Sequence, residues 1–549
     1  MKKINSSTKF TILAIVLIAI FCIALTPITF QNDTYYTIKV GEHIAQYGID
    51  NQDPFSWHED LSYTYPHWAY DLITYYIYNA FGFAGIYVTT CILSAILGIS
   101  VFLINKKLAK NQIFSFLITI GVMYIIRSYI AARAQLLTFI LFIWTIFLIE
   151  KFIETKKKRY GIGLIIIPII VANVHSAVFP FYFVLYLPYI AEYLISLFSE
   201  IIIYRKIKIF SLKLKIKKYE KIPEKAEELK KLKEEQRKLE EQLDRVKIKR
   251  TKDLQNPYKI KITKNKNVKW LILIMIICLF TGLLTPLGNT PYTYLIKTMQ
   301  GNTTQNINEH LPMTIAGDTD AMCTLIIFLW LLIFTKSKIR LSDLFMVGGL
   351  CYLMLKTKRQ VTMFAIICSI PLNRLVIQII ENYVEKEKER LLDKICNVIG
   401  ILVISIMMFS LSYYFAKDKI NDKFVDEKAY PVQAADFILQ YIDLGTAKFY
   451  NEYNYGSYLI FRGIPVFIDS RADLYAPEFS GKEEDIFSDF IDTSSMGKFY
   501  GDIFEKYGIT HVIAYENSKV NMVITKIKDP NYVQLYKDDH FVIYRITNH

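Results

Sequence analysis

AGIYVTTCILSAILGISVFLI, residues 84–104, is an unbroken run without a charged side chain. A helix of about 20 apolar residues spans the hydrocarbon core of a bilayer, where every backbone amide needs an internal hydrogen bond. Similar runs recur along the chain, and eleven segments are predicted to be transmembrane helices: 9–29, 84–104, 112–130, 135–150, 161–177, 178–200, 270–287, 319–335, 342–356, 360–378 and 395–416. The sequence therefore predicts a polytopic α-helical membrane protein.

The composition agrees with this class. The chain has 549 residues, of which 53% are hydrophobic and 21% are charged. Soluble domains reach about that apolar share only when glycine is counted, and about a quarter of their residues are charged. These values exclude a single soluble domain and a disordered chain. The seven cysteines lie in or beside apolar runs and form no C-x-x-C pair, which disfavours a thiolate metal site.

The net charge of +14 comes from one segment. Residues 205–269 contain 24 basic and 10 acidic residues, so the rest of the chain is neutral. A local excess of this kind is no general signal for nucleic acid, and no nucleic-acid partner is expected. Leucines spaced by three and four residues within the segment predict a helical hairpin or a membrane-surface helix on anionic lipid. A coiled coil that binds a partner protein is the alternative.

Lys/Arg-rich loops alternate with Lys/Arg-poor loops, and the basic loops of membrane proteins face the cytoplasm. The N-terminus is therefore predicted to be cytoplasmic. The predicted units are a first transmembrane bundle with an outer loop at 30–68, a basic cytoplasmic helical insert, a second transmembrane bundle and an extracytoplasmic α/β domain: 1–200, 201–269, 270–416 and 417–549.

The last unit has the alternating pattern of a mixed α/β domain. Its predicted strands are Ala447–Tyr450, Pro465–Asp469, Thr510–Tyr515, Tyr532–Tyr536 and Phe541–Ile546. Its predicted helices are Val432–Tyr441, Ser488–Tyr507 and Ser518–Ile527, and residues 453–456 are interpreted as a turn that uses the freedom of Gly456. No glycine-rich loop precedes a helix there, which disfavours a nucleotide-binding domain.

Ionisable residues at the edge of a membrane are the first candidates for function. A carboxylate such as Asp33 in a cavity between helices can act as a general base on a hydroxyl group. The cations Lys358 and Arg359 can hold a phosphate or diphosphate at headgroup depth. Polar loops also collect polar residues without any function, and that interpretation stays open on composition alone.

The outer segments carry motifs that resemble the GT-C superfamily of bacterial membrane glycosyltransferases, the mannosyltransferase/RgtA-like group. In the first outer loop these are Asp33-Thr34-Tyr35-Tyr36, Gly41, Gly48-Ile49, Asp53-Pro54-Phe55-Ser56 and His67-Trp68. Further matches to a poorly characterised subgroup are Asn173-Val174-His175, Pro286-Leu287-Gly288, Tyr450–Leu459 and Pro465–Tyr475. The resemblance covers most of the chain except the basic insert.

The resemblance implies a multi-span GT-C-like fold in a bacterial plasma membrane, with Asp33 as the catalytic base of the first outer loop. It implies a polyprenyl-phosphate-linked sugar as donor and a cell-envelope glycan, lipid or protein as acceptor. A divalent metal ion is a possible cofactor. The candidates for binding substrate or metal are His67, Asp71, His175, Glu309 and His310.

The chain departs from the family pattern in a way that bears on the metal. Many relatives have Trp or His shortly after the catalytic Asp, and His-Glu-Trp in the second motif. Here the corresponding residues are Tyr35-Tyr36 and His67-Trp68, with Asp71 as the nearest carboxylate. The use of a metal therefore stays open.

A polar cluster in the tail, Asp469, Arg471 and Asp473, has two interpretations. It could form a pocket that faces the membrane site, or Asp469 and Arg471 could form a structural ion pair that fixes a loop, which we favour. Two other functions remain for the whole chain. One is a transporter or flippase of a lipid-linked or polar solute, and the other is a non-catalytic membrane protein of cell-envelope assembly.

Overall fold

The computed structural model describes residues 5–198, 202–220, 225–252, 259–314, 316–383, 395 and 397–547. This part of the chain is mostly helical, and six of its helices are long and apolar enough to cross a membrane: Ser6–Leu25, Trp68–Ala109, Ala134–Thr155, Ser176–Leu197, Lys358–Glu381 and Val398–Lys419. Each of the eleven predicted spans overlaps a helix. The number eleven itself stays a prediction.

The first half of the chain forms a helical bundle with the basic insert attached. Its helices are α1 Ser6–Leu25, α2 Asn32–Tyr47, α3 Trp68–Ala109, α4 Gln112–Ile125, α5 Ala134–Thr155, α6 Lys158–Val174, α7 Phe179–Val184, α8 Leu187–Phe198, α9 Ile202–Tyr219 and α10 Ala226–Lys252. The helix α3 is broken at Gly82, whose φ of 60° lies in the left-handed region.

The second half completes the bundle. Its helices are α11 Val268–Leu279, α12 Thr290–Gln300, α13 Thr303–Asn306, α14 Thr319–Phe334, α15 Leu341–Lys356, α16 Val361–Tyr383 and α17 Val398–Ala416. The short strands β1 Ile260–Lys261 and β2 Ile339–Arg340 pair in parallel. The largest apolar core lies among α1, α3, α5 and α16, with Phe21, Leu97, Ile143 and Ile367 fully buried.

The basic insert contains two helices that contact each other, α9 and α10. Buried Ile209, Leu212 and Ile216 line the contact side of α9. Ion pairs such as Lys233–Glu220, at 2.8 Å, join the two helices at the surface. The part of the insert that the structure describes is thus a helical hairpin, one of the two predicted forms.

The tail contains a four-stranded sheet in the order β3-β4-β6-β5. Its strands are β3 Phe449–Tyr450, β4 His511–Tyr515, β5 Tyr532–Lys537 and β6 Phe541–Ile546, and its helices are α18 Val432–Tyr441, α19 Tyr453–Phe461, α20 Pro477–Ser480, α21 Ile486–Ser495, α22 Tyr500–Tyr507 and α23 Lys519–Ile527. The strand β3 is parallel to β4, whereas β6 is antiparallel to both of its neighbours.

Three predictions for the tail were wrong. Residues 465–469 form no strand, because within the described part of the chain their ladder contact is a single bridge between Val466 and Ser56. The predicted helix over 488–507 is two helices, since Met496 adopts a left-handed conformation with φ 68°. The predicted turn at 453–456 is the start of α19.

The loop predicted at 30–68 contains the helix α2 and packs against the tail. Tyr35 is fully buried, and its ring centroid lies 4.9 Å from that of Tyr430 and 5.1 Å from that of Tyr458. The Asn32 side-chain amide donates to the Tyr453 carbonyl over 2.8 Å. These contacts hold the first turn of α2 between the bundle and the tail.

Two glycines allow these elements to approach closely. A Cβ on Gly41 would meet the backbone carbonyl of Asp71, so α2 can lie directly on α3. A Cβ on Gly456 would meet the carbonyl of Ile468, so α19 can lie on the segment that precedes Asp469. Glycine is therefore required at position 456 because the packing leaves no room for a side chain, and not because the chain turns there.

Candidate active site

A cavity of about 1040 Å³ lies where the bundle meets the tail. It is formed by the first turn of α2, the segment before α3, the N-cap of α5, the start of α7 and the turn before it, the helix α12 with the turns that follow it, the end of α15 and the turn after it, and residues 452–454, 470–474 and 487–494 of the tail. Small-molecule sites are usually about 300–1,000 Å³. This cavity is large enough for a sugar phosphate together with part of a lipid chain.

Asp33 lies on the wall of this cavity, in the first turn of α2. The positive end of a helix dipole stabilises a carboxylate at that position. The side chain is 22% exposed, so solvent or a substrate can reach it. Its Oδ2 atom forms an ion pair with the Nε atom of Arg133 over 2.9 Å.

Arg133 is a residue of the site that we did not predict from the sequence. It is the N-cap residue of α5, and it lines the cavity. Its Nη1 atom lies 3.3 Å from Oε1 and 3.4 Å from Oε2 of Glu309. One guanidinium therefore contacts the carboxylates of both Asp33 and Glu309.

A signal for Arg133 was present in the sequence. The arginine stands in the short turn between two predicted spans, which is the membrane-edge position that marks functional ionisable residues. The signal was missed because no motif surrounds it. Its partners come from segments 100 and 176 residues away, so only the folded chain shows what it contacts.

The two predicted phosphate-binding cations have different surroundings. Arg359 lines the cavity, and its Nη2 atom donates to the Gln135 side-chain carbonyl over 3.1 Å. The Lys358 Nζ atom lies 3.4 Å from Asp318 Oδ1, and Lys358 is not among the described residues that line the cavity. The structure thus brings Arg359, and not Lys358, to the same cavity as Asp33.

All three histidines that were predicted as candidates line the cavity: His67, His175 and His310. The ring centroids of His67 and His175 are 4.8 Å apart. The His175 Nδ1 atom is hydrogen-bonded to the Thr138 hydroxyl over 2.9 Å. Burial, with Arg359 and Arg133 nearby, lowers the pKa of His67 to about 3. Burial and Arg359 lower the pKa of His310 to about 4. These surroundings favour the uncharged form of both rings at neutral pH.

Asp71 lies outside the set of described residues that line the cavity. Its side chain is fully buried in the first turn of α3, against the face of α2 that carries Gly41. Its carboxylate is therefore not presented to a substrate in this structure. This is a change from the sequence-based prediction, which treated Asp71 as a candidate ligand.

The tail cluster divides into two parts. The Arg471 guanidinium contacts Asp469 over 2.8 Å and Asp53 over 2.7 Å, and all three side chains are almost completely buried. This geometry corresponds to the favoured interpretation, an ion pair that fixes a loop. Arg471 and Asp473 both line the cavity, and the hydroxyls of Thr303 and Thr298 donate to Asp473 over 3.0 and 3.2 Å.

The residues present do not match a metal centre. Two carboxylates of the cavity wall, Asp33 and Glu309, are both in contact with Arg133. Within the part of the chain that the structure describes, no group of three or more His, Cys, Asp or Glu side chains is arranged to hold a metal ion. The charge of both carboxylates is thus already compensated by a side chain of the protein.

No protein-family model matches the chain, and no curated protein matches it in sequence. A solved structure with a similar fold is the archaeal oligosaccharyltransferase AglB from Archaeoglobus fulgidus, in complex with an inhibitory peptide and a dolichol-phosphate. The two chains are 10% identical, with a TM-score of 0.53. The similarity covers 98% of this chain and 74% of the archaeal one. At this identity the similarity shows a related fold and nothing beyond the fold.

Proposed function

We propose that this chain is a membrane glycosyltransferase that moves a sugar from a polyprenyl-phosphate donor to an acceptor on the extracytoplasmic side of a bacterial plasma membrane. The supporting observation is that Asp33 and Arg359 line one large cavity at the end of a helical bundle. The fold likeness to an enzyme that was solved with a dolichol-phosphate supports the same class of donor.

The cavity wall offers both kinds of surface that such a donor needs. Arg359 supplies the cationic part and is available to a phosphate, because its described hydrogen bond goes to the neutral amide of Gln135. A guanidinium binds phosphate through paired, charge-assisted hydrogen bonds. The side chains of Phe181, Leu295 and Met299 line the same cavity and provide an apolar path for the first units of the lipid chain.

The proposed chemistry is a single displacement at the anomeric carbon. The acceptor hydroxyl attacks that carbon while its proton passes to the carboxylate of Asp33, which acts as the general base. The bond between the anomeric carbon and the phosphate oxygen breaks, and the polyprenyl phosphate leaves as an anion beside Arg359. Attack from the face opposite to the phosphate inverts the configuration of the sugar.

The acceptor is proposed to enter from the tail side of the cavity. Tyr453, Asn454 and Ser470 line that side and present hydroxyl, amide and backbone groups. Polar groups of this kind suit an acceptor that carries hydroxyl groups, such as an envelope glycan, lipid or protein.

The test is a transfer assay with purified protein in lipid nanodiscs and labelled polyprenyl-phosphate sugars, with envelope extract as the source of acceptors. Asp33→Asn should abolish transfer while the protein still inserts and elutes as a single species. Asp60→Asn is the matched control, because Asp60 is exposed in the same outer segment with φ 57°, which asparagine tolerates.

Transfer by Asp33→Asn at the wild-type rate would remove Asp33 from the mechanism. If no sugar from any polyprenyl-phosphate donor is transferred, the enzyme proposal fails. Movement of a labelled lipid-linked sugar between leaflets in that experiment would then favour the transporter alternative, and its absence would favour the scaffold alternative.

A further inference from the structure

Arg133 occupies the space between the two carboxylates of the cavity. Its Nε atom lies 2.9 Å from Asp33 Oδ2, and its Nη1 atom lies 3.3 Å from Glu309 Oε1. The side chains of Arg133, Asp33 and Glu309 are 22%, 22% and 37% exposed, so the group is partly screened from water but open to the cavity. The two carboxylates come from α2 and from the 3-10 turn Asn308–His310.

Two facing carboxylates without a cation between them would repel each other. Such pairs usually share a proton, an arginine or a divalent metal ion. In this chain the compensating positive charge belongs to the protein itself, in the side chain of Arg133. Burial by itself would lower the pKa of Arg133, but Asp33 and Glu309 outweigh this and raise it, so the guanidinium is held in its charged form.

The position of Arg133 is fixed by the fold. It is the N-cap residue of α5, with extended backbone angles, and it follows buried Ala131 and Ala132. Gln135, in the first turn of the same helix, accepts the hydrogen bond from Arg359. The start of α5 thus positions Arg133 directly and Arg359 through a hydrogen bond.

We propose that Arg133 is a built-in cation that replaces a divalent metal between Asp33 and Glu309. The cavity then binds no Mg²⁺ or Mn²⁺ at these carboxylates, because a second cation would meet the fixed guanidinium instead of free oxygen atoms. Arg133 is a positioning residue for Asp33 in the proposed transfer, and that part rests on the proposed function. The metal-binding part does not.

The decisive measurement is Mn²⁺ binding to the purified protein in nanodiscs, followed by electron paramagnetic resonance of the free ion. Wild-type protein should show no Mn²⁺ site that depends on Asp33. Arg133→Ala leaves two carboxylates facing an open space, and Mg²⁺-type ions are commonly held by one or two carboxylates together with water. This variant should therefore bind Mn²⁺ at least ten times more tightly than wild type.

Three variants make the measurement specific. Arg133→Lys keeps a cation between the carboxylates and should remain without a site. The double variant Arg133→Ala/Asp33→Asn should lose the gained site. Arg127→Ala is the matched control, because Arg127 forms a more exposed ion pair with Asp320, over 3.2 Å, and its removal leaves only one carboxylate.

The proposal is overturned if wild-type protein binds Mn²⁺ and Asp33→Asn abolishes that binding, a result that needs no destabilised variant. It is also overturned if Arg133→Ala elutes as a folded species and gains no Mn²⁺ affinity. Where transfer is measurable, wild-type activity should be unchanged by a chelator. A chelator-sensitive transfer would contradict the replacement of the metal while leaving the proposed transferase function intact.

Discussion

Arg471 Nη1 lies 2.7 Å from Asp53 Oδ1, so one buried ion pair joins the segment after α2 to the tail. The same guanidinium contacts Asp469 and lies between the rings of Phe55 and Tyr63, at 5.1 and 4.8 Å from their centroids. Two carboxylates from distant parts of the chain thus depend on one cation. Residues 470–474, which include Arg471, form part of the cavity wall, so this ion pair helps to fix that part of the wall.

Arg471→Met should strongly destabilise the protein, because it leaves the buried carboxylates of Asp53 and Asp469 without a cation. Loss of one partner from a buried ion pair costs about 3–5 kcal/mol. The measurement is the midpoint of thermal unfolding in detergent. Arg462→Met is the control, since its partner Asp436 is 63% exposed and a surface ion pair contributes about 0–1 kcal/mol. Equal midpoints for the two variants would contradict this role of Arg471.

Arg359→Gln should raise the KM for the lipid-linked donor about tenfold or more, because a hydrogen bond between charged groups contributes about 1.5–3 kcal/mol. Arg359→Lys should recover part of the loss. Lys358→Gln is the neighbouring control and should change the KM less than twofold, since Lys358 is paired with Asp318. A larger effect at Lys358 than at Arg359 would reverse our assignment of the phosphate-binding residue.

Gly41→Ala should impair both stability and transfer. The added Cβ would meet the Asp71 carbonyl and lie 2.7 Å from Tyr75 Cβ, so α2 would have to move away from α3 and carry Asp33 with it. Gly348→Ala is the control, because that helical glycine has nothing within 4 Å of its added Cβ. The measurements are the unfolding midpoint and kcat. An unchanged kcat in Gly41→Ala would show that Asp33 tolerates a shift of α2.

Glu452 gives the tail a pH-dependent stability. Burial raises the pKa of this carboxyl from 4.5 to about 7, although contacts with Ser518 and the backbone of Tyr515 oppose the shift. The folded state therefore holds a proton that the unfolded chain releases above pH 4.5. This contribution to the free energy of unfolding is complete below that pH and is lost as the pH rises to about 7; it amounts to about 3 kcal/mol.

The variant that tests this is Glu452→Gln, whose amide does not titrate. Relative to this variant, wild-type protein should lose stability between pH 5 and pH 7 and then reach a plateau. The unfolding midpoint measured across that range gives the difference. The exposed carboxylate variant Glu505→Gln should follow the wild-type curve. Parallel curves for wild type and Glu452→Gln would show that Glu452 is charged in the folded state.

Elements governed by local sequence were predictable. The helix Val432–Tyr441 has its predicted bounds. Ser518 caps the helix Lys519–Ile527, because its hydroxyl accepts a hydrogen bond from the backbone N–H of Asn521. Residues 465–469 were predicted to form a strand and do not form one. Their burial comes from packing under α19 and against the loop at Ser56, and no local pattern distinguishes that burial from strand pairing.

The candidate site was predicted only in part, again because local sequence does not show how distant segments pack. Asp33 and Arg359 stand in short polar segments next to apolar runs, and both lie on the cavity wall. Lys358 is adjacent to Arg359 in sequence but forms its ion pair with Asp318 instead. The sequence alone does not show which of Lys358 and Arg359 enters the cavity, because the direction of each side chain depends on the packing of the elements around it.

The amino-acid sequence alone determined that the chain is built from apolar helices with a basic insert and a mixed tail, because a bilayer-length apolar run and a local charge excess are properties of contiguous residues. Only the tertiary structure decided that Arg133 lies between Asp33 and Glu309 and that Arg471 joins Asp53 to Asp469. Such ion pairs join residues that are far apart in the chain, so their identity depends on how the helices and the tail pack.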